Sequence, residues 1–192
     1  MLLTIKNLGK AERALIGLPV PPQQYGNVGK LVEDFLESLG YAINRGAGPD
    51  LLSIGVEIKT RTIGATSAQD IGTMTLEDII KYDWDSSPLK AKFQQQFRVK
   101  HCPDQKCIVS AEMYDFRAEE IQSIVRYAYE SARTLIINNC TDNYIRGADA
   151  WAYFEHKKSN SYGFRLPNDI METFERMATS NYKNLFETDT HQ

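Results

Sequence analysis

The chain has little of what marks a secreted or membrane-bound protein. It contains only three cysteines in 192 residues, and this odd number favours a reducing compartment over a disulfide framework. No apolar run approaches the ~20 residues that a membrane span needs. The first residues, which include Lys6 and Lys10, lack the pattern of a secretory signal. We therefore expect a soluble, cytoplasmic protein that does not associate with a membrane.

An excess of charge of one sign is also missing. The formal net charge of −3 argues against indiscriminate binding to nucleic acid. It does not exclude site-selective binding, because the distribution of charge matters more than its sum. The sequence has no internal repeat and no low-complexity segment, and its length fits one domain over residues 1–192. The polar residues 184–192 are expected to fray as a flexible tail.

Two of the cysteines, Cys102 and Cys107, lie close to His101 and raise the question of a zinc site. No second pair of ligands follows at the spacing of a zinc finger. Residues 97–102 and 107–113 instead flank a turn and predict a β-hairpin. Facing positions on that hairpin explain the two cysteines better than a bound metal.

The most informative segment is residues 50–60, which is rich in Ile, Val and Thr. This composition is typical of a buried β-strand. Side chains alternate between the two faces of a strand, so Glu57 and Lys59 share one face. Val56 and Ile58 are then expected to point into the core.

The residue types in this segment suggest metal-dependent chemistry. The carboxylates of Asp50 and Glu57 and the amine of Lys59 are costly to bury together unless a divalent cation lies among them. We expect Asp50 and Glu57 to hold Mg²⁺, or Mn²⁺ as a substitute, because such ions prefer oxygen ligands. Lys59 would stabilise developing negative charge or orient the attacking water. The alternative is a solvated strand face with a weak ion pair.

A second segment, residues 28–39, has apolar residues at helical spacing, namely Leu31, Val32, Phe35, Leu36 and Leu39. Glu33 falls at the edge of this apolar face, from which a carboxylate can reach a metal site on a neighbouring strand. Asp34 and Glu37 point outward, as ordinary solvated acids do. Taken alone, an edge glutamate is more often a plain surface residue.

Together, the two segments resemble the PD-(D/E)xK nuclease class, and within it the MutH-like group of mismatch-repair and restriction endonucleases. Residues 28–33 match the helix pattern Val-Gly-x-Leu-x-Glu. Residues 50–60 match the strand pattern Asp-x4-Gly-Val-Glu-x-Lys-Thr. The stretch between the two motifs is slightly longer here, which a loop can absorb. The resemblance is sharp over residues 28–60 and weak afterwards.

The resemblance implies that Asp50 and Glu57 are metal ligands, that Lys59 is the catalytic lysine, and that Glu33 is the helix carboxylate beside them. It implies an α/β fold of the restriction-endonuclease-like kind, with a central mixed β-sheet flanked by helices. The expected activity is Mg²⁺-dependent cleavage of double-stranded DNA by a restriction enzyme, either as a monomer or as a homodimer. A strand-nicking repair enzyme and a non-catalytic DNA-binding module are the alternatives.

Cations lie away from these acids in the sequence, and those that we select as candidate DNA contacts are Lys90, Lys92, Lys157, Lys158 and Arg165. Such a layout suits a cleft whose walls hold phosphates while its floor holds a metal ion. Lys90 and Lys92 form a Lys-x-Lys segment similar to one in MutH-like enzymes, where a lysine contacts the DNA backbone. Residues 157–165 are our candidate for a DNA-groove reader. An ordinary charged surface is the alternative for each cation.

The remaining periodicity agrees with an α/β or α+β layered domain. It predicts helices over residues 7–16 and 116–138, a helix that begins at Asn168 or Asp169, and a second hairpin over residues 150–156 and 162–166.

Overall fold

The computed structural model describes residues 5–148, 151–157 and 160–187 of the chain. The chain divides into two compact units. Unit 1 comprises Met1–Ala65 and Gln95–Tyr114, and unit 2 comprises Thr66–Gln94 and Asp115–Gln192. Each unit is therefore assembled from two separate segments of the chain.

Six helices and seven strands are interspersed along the described part of the chain. The helices are α1 (Ile5–Leu15), α2 (Val28–Ser38), α3 (Leu76–Lys81), α4 (Pro88–Gln94), α5 (Glu119–Ile137) and α6 (Asn168–Glu187). The strands are β1 (Glu57–Thr62), β2 (Gln69–Thr75), β3 (Gln95–Cys102), β4 (Cys107–Asp115), β5 (Tyr144–Arg146), β6 (Tyr153–Lys157) and β7 (Ser161–Leu166). None of the helices within the described residues is long and apolar enough to cross a membrane.

The sheet of unit 1 has the strand order β1-β3-β4. β1 and β3 run parallel, with Glu57 opposite Gln96 and Lys59 opposite Arg98. A short turn joins β3 to β4, which is its neighbour in the sheet, so this pair forms the predicted hairpin. The sheet is thus mixed, and α1 and α2 belong to the same unit.

Helix α2 shows why its sequence predicts one buried face. Its buried residues are Val28, Val32 and Leu36, which recur every fourth position and so lie along one stripe. The helix stops at Ser38 because Gly40 adopts a left-handed φ of 89° and closes the last turn. Leu39 lies beyond the helix and is 48% exposed, so its predicted place on the buried face is wrong.

Unit 2 contains a four-stranded sheet with the order β2-β7-β6-β5 and antiparallel pairing. The predicted second hairpin is present as β6 and β7. Aromatic side chains fill the core of this unit, with Trp84, Phe93, Tyr129, Phe154 and Phe164 each fully buried. The centroids of neighbouring rings in this group lie 5.0 to 6.4 Å apart. This spacing is typical of edge-to-face and tilted aromatic packing.

Two expectations need correction. The chain is mixed α/β with helices around its sheets, but it has one three-stranded and one four-stranded sheet where a single central sheet is expected. The predicted tail begins at residue 184, whereas α6 continues to Glu187. The rest of that tail, residues 188–192, lies outside the described residues.

Candidate functional site

A tight turn precedes β1 and determines where Asp50 lies. The strand predicted for the apolar run that follows Asp50 is wrong at its start, because Leu52–Ile54 forms a 3-10 turn and β1 begins only at Glu57. Gly55 closes the turn with a left-handed φ of 68°, which glycine adopts without steric cost. The backbone N–H of Leu51 donates to the carbonyl of Val56 at 2.8 Å. The chain therefore doubles back on itself.

Because of this reversal, Asp50 lies beside the strand and does not extend it. Its Oδ2 accepts a hydrogen bond from the backbone N–H of Ile58 at 2.9 Å. Ile58 is the residue between Glu57 and Lys59, so the half-buried Asp50 carboxylate is anchored at the strand position that those two residues flank. A backbone amide fixes a carboxylate more firmly than a mobile side chain does.

Glu57 and Lys59 share one face of β1, as the alternation of the strand predicts. Lys59 Nζ lies 3.0 Å from Glu57 Oε1, and the two side chains are 24% and 4% exposed. Val56 and Ile58 are both buried in the core, which confirms the prediction for the other face. A carboxylate as buried as that of Glu57 needs compensating charge or hydrogen bonds, and the Lys59 ammonium supplies part of that compensation.

The neighbouring strand adds two polar residues that are not among the predicted site residues. Parallel pairing places Gln96 beside Glu57 and Arg98 beside Lys59 on the same face of the sheet. Both are buried, and Arg98 Nη1 donates to Gln96 Oε1 at 2.7 Å. The sequence feature that could have identified this pair is the alternation of two polar residues with apolar ones in a strand that is otherwise buried.

Helix α2 supplies the third acid, Glu33, which is half-buried while Asp34 and Glu37 are exposed, as predicted. Burial raises the pKa of the Glu33 carboxyl above its ordinary value, and the negative charge of Asp50 raises it further. Lys30 and Arg45 oppose this shift. The repulsion between Glu33 and Asp50 shows that the helix and the turn bring two of the predicted acids within electrostatic reach of each other.

This set of donors can be tested for its fit to Mg²⁺. Carboxylate oxygens are the donors that Mg²⁺ prefers, and Mg²⁺ usually takes one or two protein carboxylates and keeps several waters. Asp50 and Glu57 meet that requirement, and a cation beside Asp50 would relieve its repulsion of Glu33. Within the described ranges, no group of three or more His, Cys, Asp or Glu side chains could hold a metal ion together. The donors therefore fit a largely hydrated ion better than an all-protein cage.

The predicted DNA-contacting cations belong to unit 2, and most are paired with acids there. Lys157 Nζ lies 2.8 Å from Asp70 Oδ2, and Arg165 Nη2 lies 2.7 Å from Glu155 Oε2. Lys90 Nζ lies 2.6 Å from Asp85 Oδ1. These acids offset much of the positive charge that a phosphate contact would use.

Two candidates remain. Lys92 is half-buried on α4, and Lys158 lies outside the described residues. The hairpin that the sequence suggests as a groove reader is formed by β6 and β7, and its cations Lys157 and Arg165 are paired with carboxylates of the same sheet.

Comparison of the chain with models of known protein families finds no match, and comparison with curated proteins finds none either.

Proposed function

We propose that the protein is a Mg²⁺-dependent endonuclease that hydrolyses phosphodiester bonds in duplex DNA, and that it acts as a restriction enzyme on a short recognition sequence. The observation that carries this proposal is the turn that returns Asp50 to the strand carrying Glu57 and Lys59. An acid anchored beside a second acid and a lysine is the set of groups that metal-assisted phosphodiester hydrolysis requires. We further propose a restriction-endonuclease-like fold for the chain.

Asp50 and Glu57 would hold the cation in this proposal. Bound there, Mg²⁺ would polarise the scissile phosphate and lower the pKa of a coordinated water. The backbone N–H of Ile58 keeps the Asp50 carboxylate in one orientation. Glu57 is buried, so its surroundings are less polar than bulk water, and this strengthens any electrostatic interaction that it makes.

Lys59 and Glu33 have separate roles. The Lys59 ammonium is partly exposed on a flexible stem, so it can remain on Glu57 or turn to a phosphate oxygen. At that oxygen it would stabilise the negative charge that develops during hydrolysis. Glu33, whose pKa is raised by burial and by Asp50, can accept a proton more readily than an ordinary glutamate.

The direct test incubates the purified protein with unmethylated plasmid and phage DNA, with Mg²⁺ and with a chelator. Discrete bands that require Mg²⁺ would support a restriction enzyme. Open-circular plasmid would support the nicking alternative with the same residues. A metal-dependent smear would indicate a nonspecific nuclease, and DNA left intact under all conditions would contradict the proposal.

Asp50→Asn is the decisive variant, because the amide oxygen can still accept the Ile58 hydrogen bond but carries no charge. We expect it to fold normally and to lose cleavage. Asp104→Asn is the matched control, since Asp104 is an exposed acid in the turn between β3 and β4 of the same unit. Cleavage retained by Asp50→Asn would refute the assignment of this site.

A further inference from the structure

The Glu57 carboxylate needs a second source of positive charge if Lys59 is to leave it. In the structure the Lys59 ammonium lies 3.0 Å from Glu57 Oε1. To act on the substrate, this ammonium must turn to a phosphate oxygen. The Glu57 side chain is only 4% exposed, so bulk water cannot replace the lysine at the carboxylate. A buried carboxylate that loses its cation is costly unless another cation lies nearby.

The neighbouring strand supplies such a cation in Arg98. Parallel pairing places Arg98 beside Lys59, on the same face of the sheet. Gln96 lies two residues earlier on that strand, beside Glu57. Arg98 is 4% exposed and Gln96 is 0% exposed. An arginine keeps its charge in a folded protein, and burial holds this guanidinium in place, whereas the Lys59 side chain is 24% exposed and can move.

A hydrogen bond brings the Arg98 side chain back towards Glu57. Residues two apart on a strand are separated by about 6.6 Å, yet Arg98 Nη1 donates to Gln96 Oε1 at 2.7 Å. The guanidinium therefore lies against the side chain that neighbours Glu57 on the adjacent strand. Neighbouring strands are about 4.8 Å apart, which is within the range over which an opposite charge stabilises a carboxylate.

Stability alone does not explain a buried arginine at this position. Taking a guanidinium out of water costs free energy, and well-packed apolar side chains of similar volume often stabilise a protein as much or more. The residues on either side of Arg98 in the sequence, Phe97 and Val99, are apolar and fully buried. A fixed positive charge between them, beside the pair Glu57 and Lys59, therefore points to a role in the chemistry of that pair.

We propose that Arg98 is a positioning residue of the candidate site, and that its charge stabilises Glu57 when Lys59 turns to the substrate phosphate. Gln96 holds the guanidinium for this exchange through its side-chain oxygen. Arg98 acts through Glu57 and does not itself contact the DNA. The exchange rests on the proposed function, because Lys59 needs a phosphate to reach. The charge coupling between Arg98 and Glu57 is a property of the protein alone.

Urea unfolding of the metal-free protein measures this coupling. Arg98→Met raises the equilibrium constant for unfolding by some factor, and that factor should be about tenfold larger in the wild-type background than in Glu57→Gln. Glu57→Gln leaves no carboxylate charge for Arg98 to stabilise. Arg98→Lys keeps the charge and should destabilise less than Arg98→Met. Additive effects of Arg98→Met and Glu57→Gln would overturn the proposal.

The matched control is Glu37→Gln, which makes the same chemical change at an exposed acid of α2 in the same unit. Its effect should simply add to that of Arg98→Met. If Arg98→Met does not fold, removal of both charges in Arg98→Met/Glu57→Gln should restore a cooperative urea transition, and Arg98→Met/Glu37→Gln should remain unfolded. Failure of the first double variant to fold would contradict the coupling.

Cleavage and DNA binding provide a second readout, which a merely structural role would not separate. Arg98→Met should slow single-turnover cleavage by about tenfold or more, because Lys59 is then retained on Glu57. The affinity for a labelled duplex that contains the cleavage site, measured by fluorescence anisotropy with Ca²⁺ in place of Mg²⁺, should change by less than about twofold.

The Lys59→Met background tests whether Arg98 acts through the lysine. Arg98→Met should have little further effect on the cleavage rate in this background, because there is no ammonium left to release. An equal loss of rate in both backgrounds would contradict the exchange.

These measurements distinguish failure of the inference from failure of the proposed function. If Arg98 and Glu57 are coupled in unfolding but DNA stays intact with Mg²⁺, the coupling stands and the proposed function fails. If the wild type cleaves DNA and the two substitutions are additive, the proposed function stands and the role of Arg98 fails.

Discussion

Asp50 Oδ2 accepts the backbone N–H of Ile58 at 2.9 Å, across a turn that separates the two residues by eight positions. This hydrogen bond links the acid to the strand on which Glu57 and Lys59 share a face. The spacing of the motif is thus explained by a turn that doubles back and not by a straight strand. Four predictions follow from this arrangement and from the groups around it.

Gly55→Ala should displace Asp50. Gly55 has a left-handed φ of 68°, and a residue with a Cβ pays about 1–2 kcal/mol to adopt it. We expect a loss of stability of that order in urea unfolding, together with a larger loss of cleavage. Gly9→Ala is the control, because Gly9 lies within α1 and alanine there should stabilise by up to about 1 kcal/mol. Equal activity of Gly55→Ala and the wild type would show that the turn does not position Asp50.

Lys59→Met should affect both stability and activity. It leaves the buried carboxylate of Glu57 without the ammonium that lies 3.0 Å away, at a cost of about 1–3 kcal/mol. Cleavage should fall by about 10²–10³, which is typical for loss of one group that stabilises charge in the transition state. Urea unfolding and plasmid cleavage measure the two effects. A double-mutant cycle with Glu57→Gln should show that the stability losses are coupled.

Glu33 should make the stability of the metal-free protein decrease as pH rises. Its folded-state pKa is raised above the ordinary value of 4.5, first by burial and then by Asp50. Between the unfolded and the folded pKa the native state binds more protons, so deprotonation in that window costs stability. Glu33→Gln should therefore stabilise the protein at neutral pH and have little effect below the unfolded pKa. Thermal unfolding at several pH values measures this.

The matched control for this pH dependence is Glu37→Gln on the same helix. Glu37 is exposed and forms a surface pair with Arg45 at 3.0 Å, an arrangement that contributes little to stability. Its replacement should leave the pH profile of the wild type unchanged. A profile that is identical for Glu33→Gln and Glu37→Gln would contradict the raised pKa of Glu33.

Mg²⁺ should stabilise the folded protein even in the absence of DNA. A ligand that binds only the native state adds about 2.7 kcal/mol at a hundredfold excess over its dissociation constant. The melting temperature of the wild type should rise with Mg²⁺ concentration, and that of Asp50→Asn should not. Asp104→Asn should behave like the wild type. A rise of equal size in Asp50→Asn would place the ion elsewhere.

Local patterns predict much of the fold and part of the site. The shared face of Glu57 and Lys59, the buried stripe of α2 and both hairpins follow from periodicity, because alternation and helical spacing are properties of neighbouring residues. The turn at Leu52–Ile54 is missed because Ile, Val and Leu around it favour a strand, while Gly55 alone permits the reversal. Here the left-handed conformation of one glycine overrides the strand preference of the residues around it.

The features that local patterns do not predict depend on pairing between strands that are distant in the sequence. The positions of Gln96 and Arg98 beside Glu57 and Lys59 depend on the parallel register of β1 and β3, which are separated by more than thirty residues in the chain. The division into two sheets depends likewise on which distant strands associate. His101 joins α2 and β1 at one pocket through the same register, and periodicity along a single segment carries no information about such partners.

The assembly of unit 1 from two distant segments has a consequence for the order of events during synthesis. All four candidate catalytic residues leave the ribosome within Met1–Ala65, but β1 is an edge strand whose neighbour β3 lies in Gln95–Tyr114. A nascent chain that ends before β3 carries every acid and the lysine without the strand that supports them. The activity proposed for unit 1 would therefore require that the second segment, Gln95–Tyr114, has also been translated.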